Sequence, residues 1–274
     1  MKRTIVVFAA AAVALVLGAG PAALQSVDPA GDKAAEELLT NAEIKAAEQL
    51  GGSAALTKPF KLTLEKDGTQ SFGLWKDIDK TEQGRPDRWR YEIAAYKIDR
   101  LIGLDMVPVT IERRYREVRG SLQLWVANKM SLNTKNEKKV PVPPRYVLAW
   151  NRATYLQRAF DNLIANEDRH GNNILIRDDW RIYLIDHSRS FRTSKKFTDA
   201  LIYTEKHREG PKPMKELPRA LVEKIKGLTA ESVRAAVGEY LDEAEIEALL
   251  KRRDLILAEV DRLIKLNGEE AVLY

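Results

Sequence analysis

The sequence contains no cysteine and only three histidines among its 274 residues. Without cysteine, the chain can form no disulfide, no thiolate nucleophile and no cysteine-based metal site. The histidines, His170, His187 and His207, do not have the spacing of zinc ligands. No apolar segment of 20 residues follows the first 25, which excludes a polytopic membrane protein. The net charge of +5 is mild for this length and does not indicate nucleic-acid binding.

The N-terminal residues have the three-part layout of a secretory signal. Lys2 and Arg3 give a positive start, residues 5–18 form a short apolar run, and small residues follow as far as Ala23. We therefore predict a signal peptide over residues 1–23 and a mature protein that is secreted, periplasmic or in the lumen of the secretory pathway. The alternative is a run that stays in the bilayer as an N-terminal membrane anchor.

The segment after the predicted signal is rich in alanine, glycine and aspartate. This composition indicates a linker over residues 24–39. Thr40 followed by Glu43 is the pattern of a helix start, and it predicts a short helix that ends at Leu50.

A small sheet with one helix is predicted next. Asp67-Gly68 is a strong hairpin turn, and it lies between two strand-like runs at residues 60–64 and 71–76. Apolar residues at helical spacing predict a helix over residues 89–102. Two more strands are predicted over residues 107–111 and 121–126. We assign residues 40–126 to this N-terminal lobe.

The second half of the sequence is mainly helical. Residues 127–146 are polar and rich in proline at their end, which predicts a surface loop. Helical spacing begins at Val147, a short hairpin follows over residues 173–186, and Asp242 with Glu245 marks the start of a long last helix. Residues 127–274 therefore form a C-terminal lobe, and the fold class is α+β with a cleft between two lobes.

Three oxygen-bearing side chains lie around the predicted hairpin. Asp168 precedes it, Asn173 opens its first strand, and Asp186 ends its second strand. The paired ends of a hairpin are close in space, so these groups predict a site for a hard cation such as Mg²⁺ shared with phosphates. A carboxylate beside such a site can accept a proton from a hydroxyl. The structural alternative is that these residues are only turn residues and a strand-end cap.

The motif Asp168-Arg169-His170-x-x-Asn173, followed by an apolar strand and Ile185-Asp186, resembles the phosphatidylinositol 3-/4-kinase family. It is also similar to the related atypical kinases of the secretory pathway. The resemblance implies a two-lobed protein-kinase-like fold that uses ATP and Mg²⁺. It implies that Asp168 is the catalytic aspartate, that His170 helps to stabilise or shuttle charge, and that Asn173 and Asp186 hold the metal.

The same resemblance extends upstream by order and context. It implies that Lys76, at the end of a strand, contacts the nucleotide phosphates and pairs with Glu92 of the next helix. Trp125 and Val126 occupy the place of the strand that leads to the hinge, where adenine would bind. Arg169 is expected to brace the loop.

Two motifs of ordinary protein kinases are missing. No Gly-x-Gly-x-x-Gly loop is present, so only the Asp67-Gly68 hairpin could cover the phosphates, as in the phosphoinositide type. The usual Asp-Phe-Gly is Asp186-His187-Ser188 here. The segment 192–216 is rich in lysine and arginine and could face an acidic substrate or the anionic head groups of a membrane surface, or could simply be solvated.

The leading hypothesis is an ATP- and Mg²⁺-dependent phosphotransferase that acts on a protein or lipid hydroxyl, outside the cytoplasm or tethered to a membrane. A pseudokinase that binds nucleotide and regulates a partner is the second hypothesis. The third is an exported anion-binding or interaction protein without nucleotide binding. Transfer of the nucleotide moiety instead of the phosphate uses similar residues and stays open.

Overall fold

The structure is a computed structural model, and it describes residues 29–51, 58–82 and 84–274. The predicted signal peptide, residues 1–23, lies outside the described residues. Among the helices of the described part, none combines the length and the apolar character that a membrane span requires.

The N-terminal lobe is built on a five-stranded antiparallel sheet with the order β1-β2-β3-β7-β6. Its strands are β1 (Glu43–Gln49), β2 (Phe60–Lys66), β3 (Thr69–Lys76), β6 (Thr110–Tyr115) and β7 (Val118–Leu124). The hairpin predicted at Asp67-Gly68 joins β2 to β3, and both residues have positive φ, 51° and 73°. This backbone is the one that a two-residue hairpin turn requires. The last two strands differ by a few residues from the predicted bounds.

Alternation along the strands buries one face of this sheet. Leu62, Leu64, Trp75 and Leu122 are at most 2% exposed and pack in the core. The predicted helix is α2 (Trp89–Ile102), whose apolar stripe contributes Ile98 and others to the same core, and Gly103 ends it in the left-handed conformation. A two-stranded hairpin, β4 (Asp79–Glu82) with β5 (Arg85–Arg88), connects β3 to α2.

Two predictions near the start of the lobe are wrong. Residues Pro29–Asn41 form helix α1, so the described part of the predicted linker is helical. The segment predicted as a helix to Leu50 is strand β1, which pairs with β2 from Glu43 to Gln49. The pattern Thr40-x-x-Glu43 fails as a helix start because α1 extends through Asn41 and the following residues hydrogen-bond to β2.

The C-terminal lobe is mainly helical, as predicted. Its helices are α3 (Leu132–Glu137), α4 (Val147–Ile164), α5 (Lys195–Thr198), α6 (Arg219–Lys226), α7 (Ala230–Val237), α8 (Glu243–Asn267) and α9 (Glu269–Val272). The predicted capping residues Asp242 and Glu245 form a reciprocal capping box at the start of α8. The predicted loop 127–146 is partly ordered into α3 and a short strand, β8 (Met130–Ser131).

The predicted hairpin lies between the Asp168–Asn173 motif and the basic segment 192–216. It consists of β9 (Ile174–Ile176) and β10 (Ile182–Leu184), with β8 as a third antiparallel strand beside β9. Leu184 also donates its N–H to the carbonyl of Met106, at 2.8 Å. This bond links the hairpin to the segment between α2 and β6, so the end of β10 lies against the N-terminal lobe.

Candidate active site

The site is centred on Lys76, the last residue of β3. Its ammonium lies 2.6 Å from a carboxylate oxygen of Glu92 and 2.8 Å from Oδ1 of Asp186. Glu92 is in the first turn of α2, and Asp186 lies two residues beyond β10. A strand, a helix and the end of a hairpin therefore meet at one amine. Along the chain, Glu92 is 16 residues and Asp186 is 110 residues from Lys76.

Two carboxylates share the one ammonium at this meeting point. Burial opposes the charge on Lys76, but the carboxylates of Asp186 and Glu92 outweigh it and raise its pKa. Burial would raise the pKa of Glu92, and the ammonium of Lys76 with the neighbouring His187 lowers it instead. Lys76 also lowers the pKa of Asp186. All three groups are therefore ionised at neutral pH, although Glu92 has only 3% of its side chain exposed.

The second oxygen of Glu92 binds the segment that follows Asp186. It accepts the backbone N–H of His187 at 2.9 Å. The His187 ring is fully buried, and this burial lowers its pKa, so the imidazole is neutral at pH 7. Glu92 therefore ties α2 both to the lysine of β3 and to the end of the hairpin.

Asn173 lies at the same end of the hairpin as Asp186. Its carbonyl accepts the N–H of Ile185 at 3.1 Å, and its side-chain amide donates to the carbonyl of Asp168 at 3.3 Å. Oδ1 of Asn173 and Oδ2 of Asp186 accept no hydrogen bond from any residue that the structure describes. Two side-chain oxygens at this end of the hairpin thus have no hydrogen-bond donor among the described residues.

Arg169 connects helix α4 to both ends of the hairpin. Its guanidinium pairs with Asp161 of α4 at 2.9 Å, and both side chains are at most 2% exposed. The same group donates to the carbonyl of Asn173 at 3.0 Å and to that of Ile185 at 2.6 Å. These contacts agree with the expectation that Arg169 braces the loop.

Asp168 and His170 lie at the solvent side of the loop. The Asp168 carboxylate is 45% exposed, and its Oδ2 lies 3.2 Å from the guanidinium of Arg189. His170 is exposed, and its backbone is fixed by bonds to Asp168 and Asn173. No hydrogen bond or ion pair recorded for the described residues uses the His170 ring, so its predicted role stays a prediction.

Trp125 and Val126 follow β7 in the connection between the lobes. The N–H of Trp125 bonds to the carbonyl of Phe72 at 2.9 Å, which continues the β3–β7 ladder. By strand alternation, the Trp125 ring lies on the same face of the sheet as Lys76. Trp125 is 42% exposed, and the ammonium of Lys61 lies over its ring, 4.7 Å from the ring centre. The family resemblance implies that adenine binds here, which stays a prediction.

The donor set fits Mg²⁺ shared with a nucleotide. Mg²⁺ in such sites is bound through one or two protein oxygens together with phosphates and waters. Asn173 and Asp186 supply one amide and one carboxylate oxygen of this kind. In residues 29–51, 58–82 and 84–274, no group of three or more His, Cys, Asp and Glu side chains is arranged to hold a metal by itself.

Sequence reasoning missed two contributors to the site. Arg189 contacts Asp168, and it also contacts Asp87 of β5 at 3.1 Å. His187, noted only as a departure from Asp-Phe-Gly, supplies the N–H that fixes Glu92. The only sequence signal for Arg189 was its position three residues after Asp186, the predicted metal ligand. The motif gives no signal that the His187 ring is buried.

The fold defines a class. A five-stranded sheet with a buried helix glutamate paired to a strand lysine, joined to a mainly helical lobe, is a two-lobed protein-kinase-like fold. Among solved structures, the chain is similar to that of the proinflammatory kinase CtkA of Helicobacter pylori, with a TM-score of 0.52 and 14% sequence identity. The match covers 84% of this chain and 98% of the other. No protein-family model and no curated protein matches the sequence.

Proposed function

We propose that the protein is an ATP- and Mg²⁺-dependent phosphotransferase that acts on a hydroxyl group. The single observation that carries this proposal is the contact of Lys76 with both Glu92 and Asp186. A lysine held by a helix glutamate and facing a metal-ligating aspartate is the arrangement that positions nucleotide phosphates in kinases. The kinase-like fold supports it, and so does the motif that resembles the phosphatidylinositol 3-/4-kinase family.

Each residue has a part in the proposed reaction. Lys76 binds the α- or β-phosphate and Glu92 keeps its ammonium in place. Asn173 and Asp186 would hold Mg²⁺, and the ion would supply charge neutralisation for the phosphates. Trp125 and Val126 contact the adenine.

Asp168 is proposed to accept the proton of the acceptor hydroxyl. The hydroxyl oxygen forms a bond to the γ-phosphorus, the bond from that phosphorus to the bridging oxygen of ADP breaks, and ADP leaves. His170 stabilises charge beside the same group. Phosphoryl transfer of this kind depends mainly on positioning and on charge neutralisation, which these side chains supply.

The acceptor is proposed to be a protein or lipid hydroxyl that approaches along the basic segment 192–216. Part of this segment lines a surface pocket of about 680 Å³ next to Glu167, the neighbour of Asp168. Its wall carries both signs of charge: Lys196, Lys206, Arg208 and Arg262 are basic, and Glu167, Glu205 and Glu259 are acidic. Export by residues 1–23 belongs to the same proposal, and N-terminal sequencing of the mature protein tests it separately.

The test uses the full chain with ATP labelled at the γ-phosphate, with and without Mg²⁺, alone and with protein or lipid acceptors. We expect Mg²⁺-dependent transfer by the wild type and a loss of at least 100-fold in Asp186→Ala, on the order of what removal of a positioned charge costs. Exposed Asp178→Ala, on the turn of the same hairpin, is the matched control. Mg²⁺-dependent nucleotide binding without turnover supports a pseudokinase. Absence of any nucleotide binding overturns the proposal.

A further inference from the structure

Asp168 is contacted by one cation among the described residues. Nη1 of Arg189 lies 3.2 Å from its Oδ2, while Oδ1 accepts no hydrogen bond from any described residue. A carboxylate with one oxygen anchored and the other free has a fixed orientation but can still accept a proton. The anchoring group therefore determines where the free oxygen points.

Arg189 is itself held from the other side. Its Nε donates to Oδ2 of Asp87 at 3.1 Å, and Asp87 lies on β5 with only 4% of its side chain exposed. The planar guanidinium carries donors on several edges, so it can bridge two carboxylates without a change of conformation. Oδ1 of Asp87 is buried without a partner among the described residues, which leaves Arg189 as the described compensation for that buried charge.

The backbone around Arg189 is fixed as well. The carbonyl of Ser188 accepts the N–H of Arg88 at 2.8 Å, so β5 is bonded to this segment through its backbone too. On the other side, Phe191 donates to the carbonyl of Ile164 at the end of α4, at 2.6 Å. The bridge from Asp87 through Arg189 to Asp168 is thus attached to both lobes.

We propose that Arg189 is the positioning residue of Asp168, and that buried Asp87 sets the orientation of the Arg189 guanidinium. This inference rests on the proposed function, because it concerns the proton acceptor of that reaction. By joining β5 to the catalytic loop, the bridge makes the geometry of Asp168 depend on how the two lobes are docked. The side chain acts through Asp168 and is not required for binding of the nucleotide.

Four variants test the bridge: Arg189→Met, Arg189→Lys, Asp87→Asn and the double variant Asp87→Asn/Arg189→Met. The last two remove the buried charge of Asp87. They keep the test valid if Arg189→Met, which leaves that charge without a partner, fails to fold. Arg181→Met is the matched control, because Arg181 pairs with Asp179 on the exposed hairpin turn. Turnover of γ-labelled ATP, the KM for ATP and the melting temperature are measured for each.

We expect Arg189→Met to lower kcat by about 10- to 100-fold, the size expected when a reacting group is slightly misplaced. The KM for ATP should stay within about twofold, since the lost contact serves the reaction step more than binding. Arg189→Lys should recover part of kcat. The double variant should be no slower than Arg189→Met, because both changes break one bridge.

A structural role would give a different result. In a fifth variant, Arg189→Ala, millimolar guanidinium should restore part of kcat without restoring the melting temperature, whereas a residue that only stabilises the fold would show no such rescue. Unchanged turnover in the folded variants overturns the inference, and increased turnover overturns it by showing that the contact is inhibitory. If the wild type shows no Mg²⁺-dependent turnover, the proposed function and this inference are both overturned. If the wild type turns over and the variants are unaffected, only the inference is overturned.

Discussion

Asp186 has a backbone φ of 62°, in the left-handed region that aspartate enters more readily than most residues with a side chain. This conformation turns the chain sharply after β10, so that the carboxylate meets Lys76 while the next N–H, that of His187, bonds to Glu92. Unfavourable backbone conformations of this kind persist where the surrounding contacts determine them, and they cluster at functional sites. Here the ion pair and the N–H bond supply those contacts.

Asp99 offers a test of electrostatics away from the candidate site. Its carboxylate is fully buried in α2, accepts the N–H of Met106 at 3.0 Å and contacts Arg100. Burial raises its pKa from 3.8 to about 7. The folded chain therefore binds this proton more tightly than the unfolded chain, and the resulting stability is fully present below about pH 4 and is lost as the pH rises through 7.

We predict that Asp99→Asn gains stability relative to the wild type as the pH rises from 5 to 8. The amide keeps an acceptor for Met106 and has no charge to bury. The gain should be about 1–3 kcal/mol, since one pKa unit corresponds to about 1.4 kcal/mol. Urea unfolding of both proteins at the two pH values measures it. A difference in unfolding free energy that is the same at pH 5 and pH 8 would contradict the assignment.

At the scale of elements, the position of Lys76 depends on how closely β7 approaches the end of β3. A Cβ at Gly120 would clash with the backbone oxygen of Lys76 and would lie 2.7 Å from a ring carbon of Trp75. The backbone oxygen cannot move aside as a flexible side chain can. The glycine is therefore needed for the close approach of the two strands.

Gly120→Ala should destabilise the protein by about 1–3 kcal/mol, as overpacking of a core does. Because the strain falls on Lys76 itself, the proposed function also predicts an increase in the KM for ATP. Gly227→Ala is the matched control: its φ is −75°, and its added Cβ would be at ordinary contact, 3.4 Å from the nearest atom. Equal melting temperatures for Gly120→Ala and the control would falsify this account.

Local signals were sufficient for some elements and misleading for others. The turn at Asp67-Gly68 and the capping box of α8 depend on residues adjacent in sequence, and both were predicted. Strand β1 was predicted as a helix, because its polar and alanine-rich sequence is a strand only through its pairing with β2. The sequence of helix α1 resembled a linker. In the structure, Glu36 of α1 accepts a hydrogen bond from the hydroxyl of Tyr96 at 2.8 Å, and this bond holds α1 against α2.

At the scale of the whole molecule, α8 is joined to both lobes. Glu245, near its start, accepts the hydroxyl of Tyr91 in α2 and lies 3.6 Å from Arg88 of β5. Further along, the fully buried Arg252 donates to the carbonyl of Leu163 at 2.8 Å and to that of Arg192 at 2.7 Å. These bonds fix the end of α4, just before the loop that carries Asp168, and the start of the basic segment 192–216.

We predict that Arg252→Ala lowers the free energy of unfolding by about 2–5 kcal/mol, because it leaves a cavity and removes the donor from one buried and one partly buried carbonyl. Arg252→Met, which keeps most of the volume, should lose less. Exposed Lys251→Ala, one residue earlier on α8, should change the value by at most about 0.5 kcal/mol. Chemical unfolding measures all three, and an Arg252→Ala protein as stable as the wild type would refute the role given to these bonds.

The candidate site was predictable to the extent that its residues are close in sequence. Asp168, Asn173 and Asp186 belong to one motif around one hairpin, and their placement near each other follows from the pairing of its strands. Lys76 and Glu92 followed only from their order in a resembling family. The bridge from Asp87 to Arg189 spans 102 residues and joins two lobes, so no local pattern could indicate it.

The sequence alone determined the hairpin, the long helices and the types of side chain that can bind a metal and a phosphate, because periodicity, turns and side-chain chemistry are properties of neighbouring residues. Only the tertiary structure decided which charges face each other. Lys76 has two carboxylate partners, and Asp168 has Arg189, because β3, α2, β5 and the end of the hairpin pack together in the folded chain. The physical reason is that an ion pair depends on a separation of a few ångströms in space, which distance along the chain does not determine.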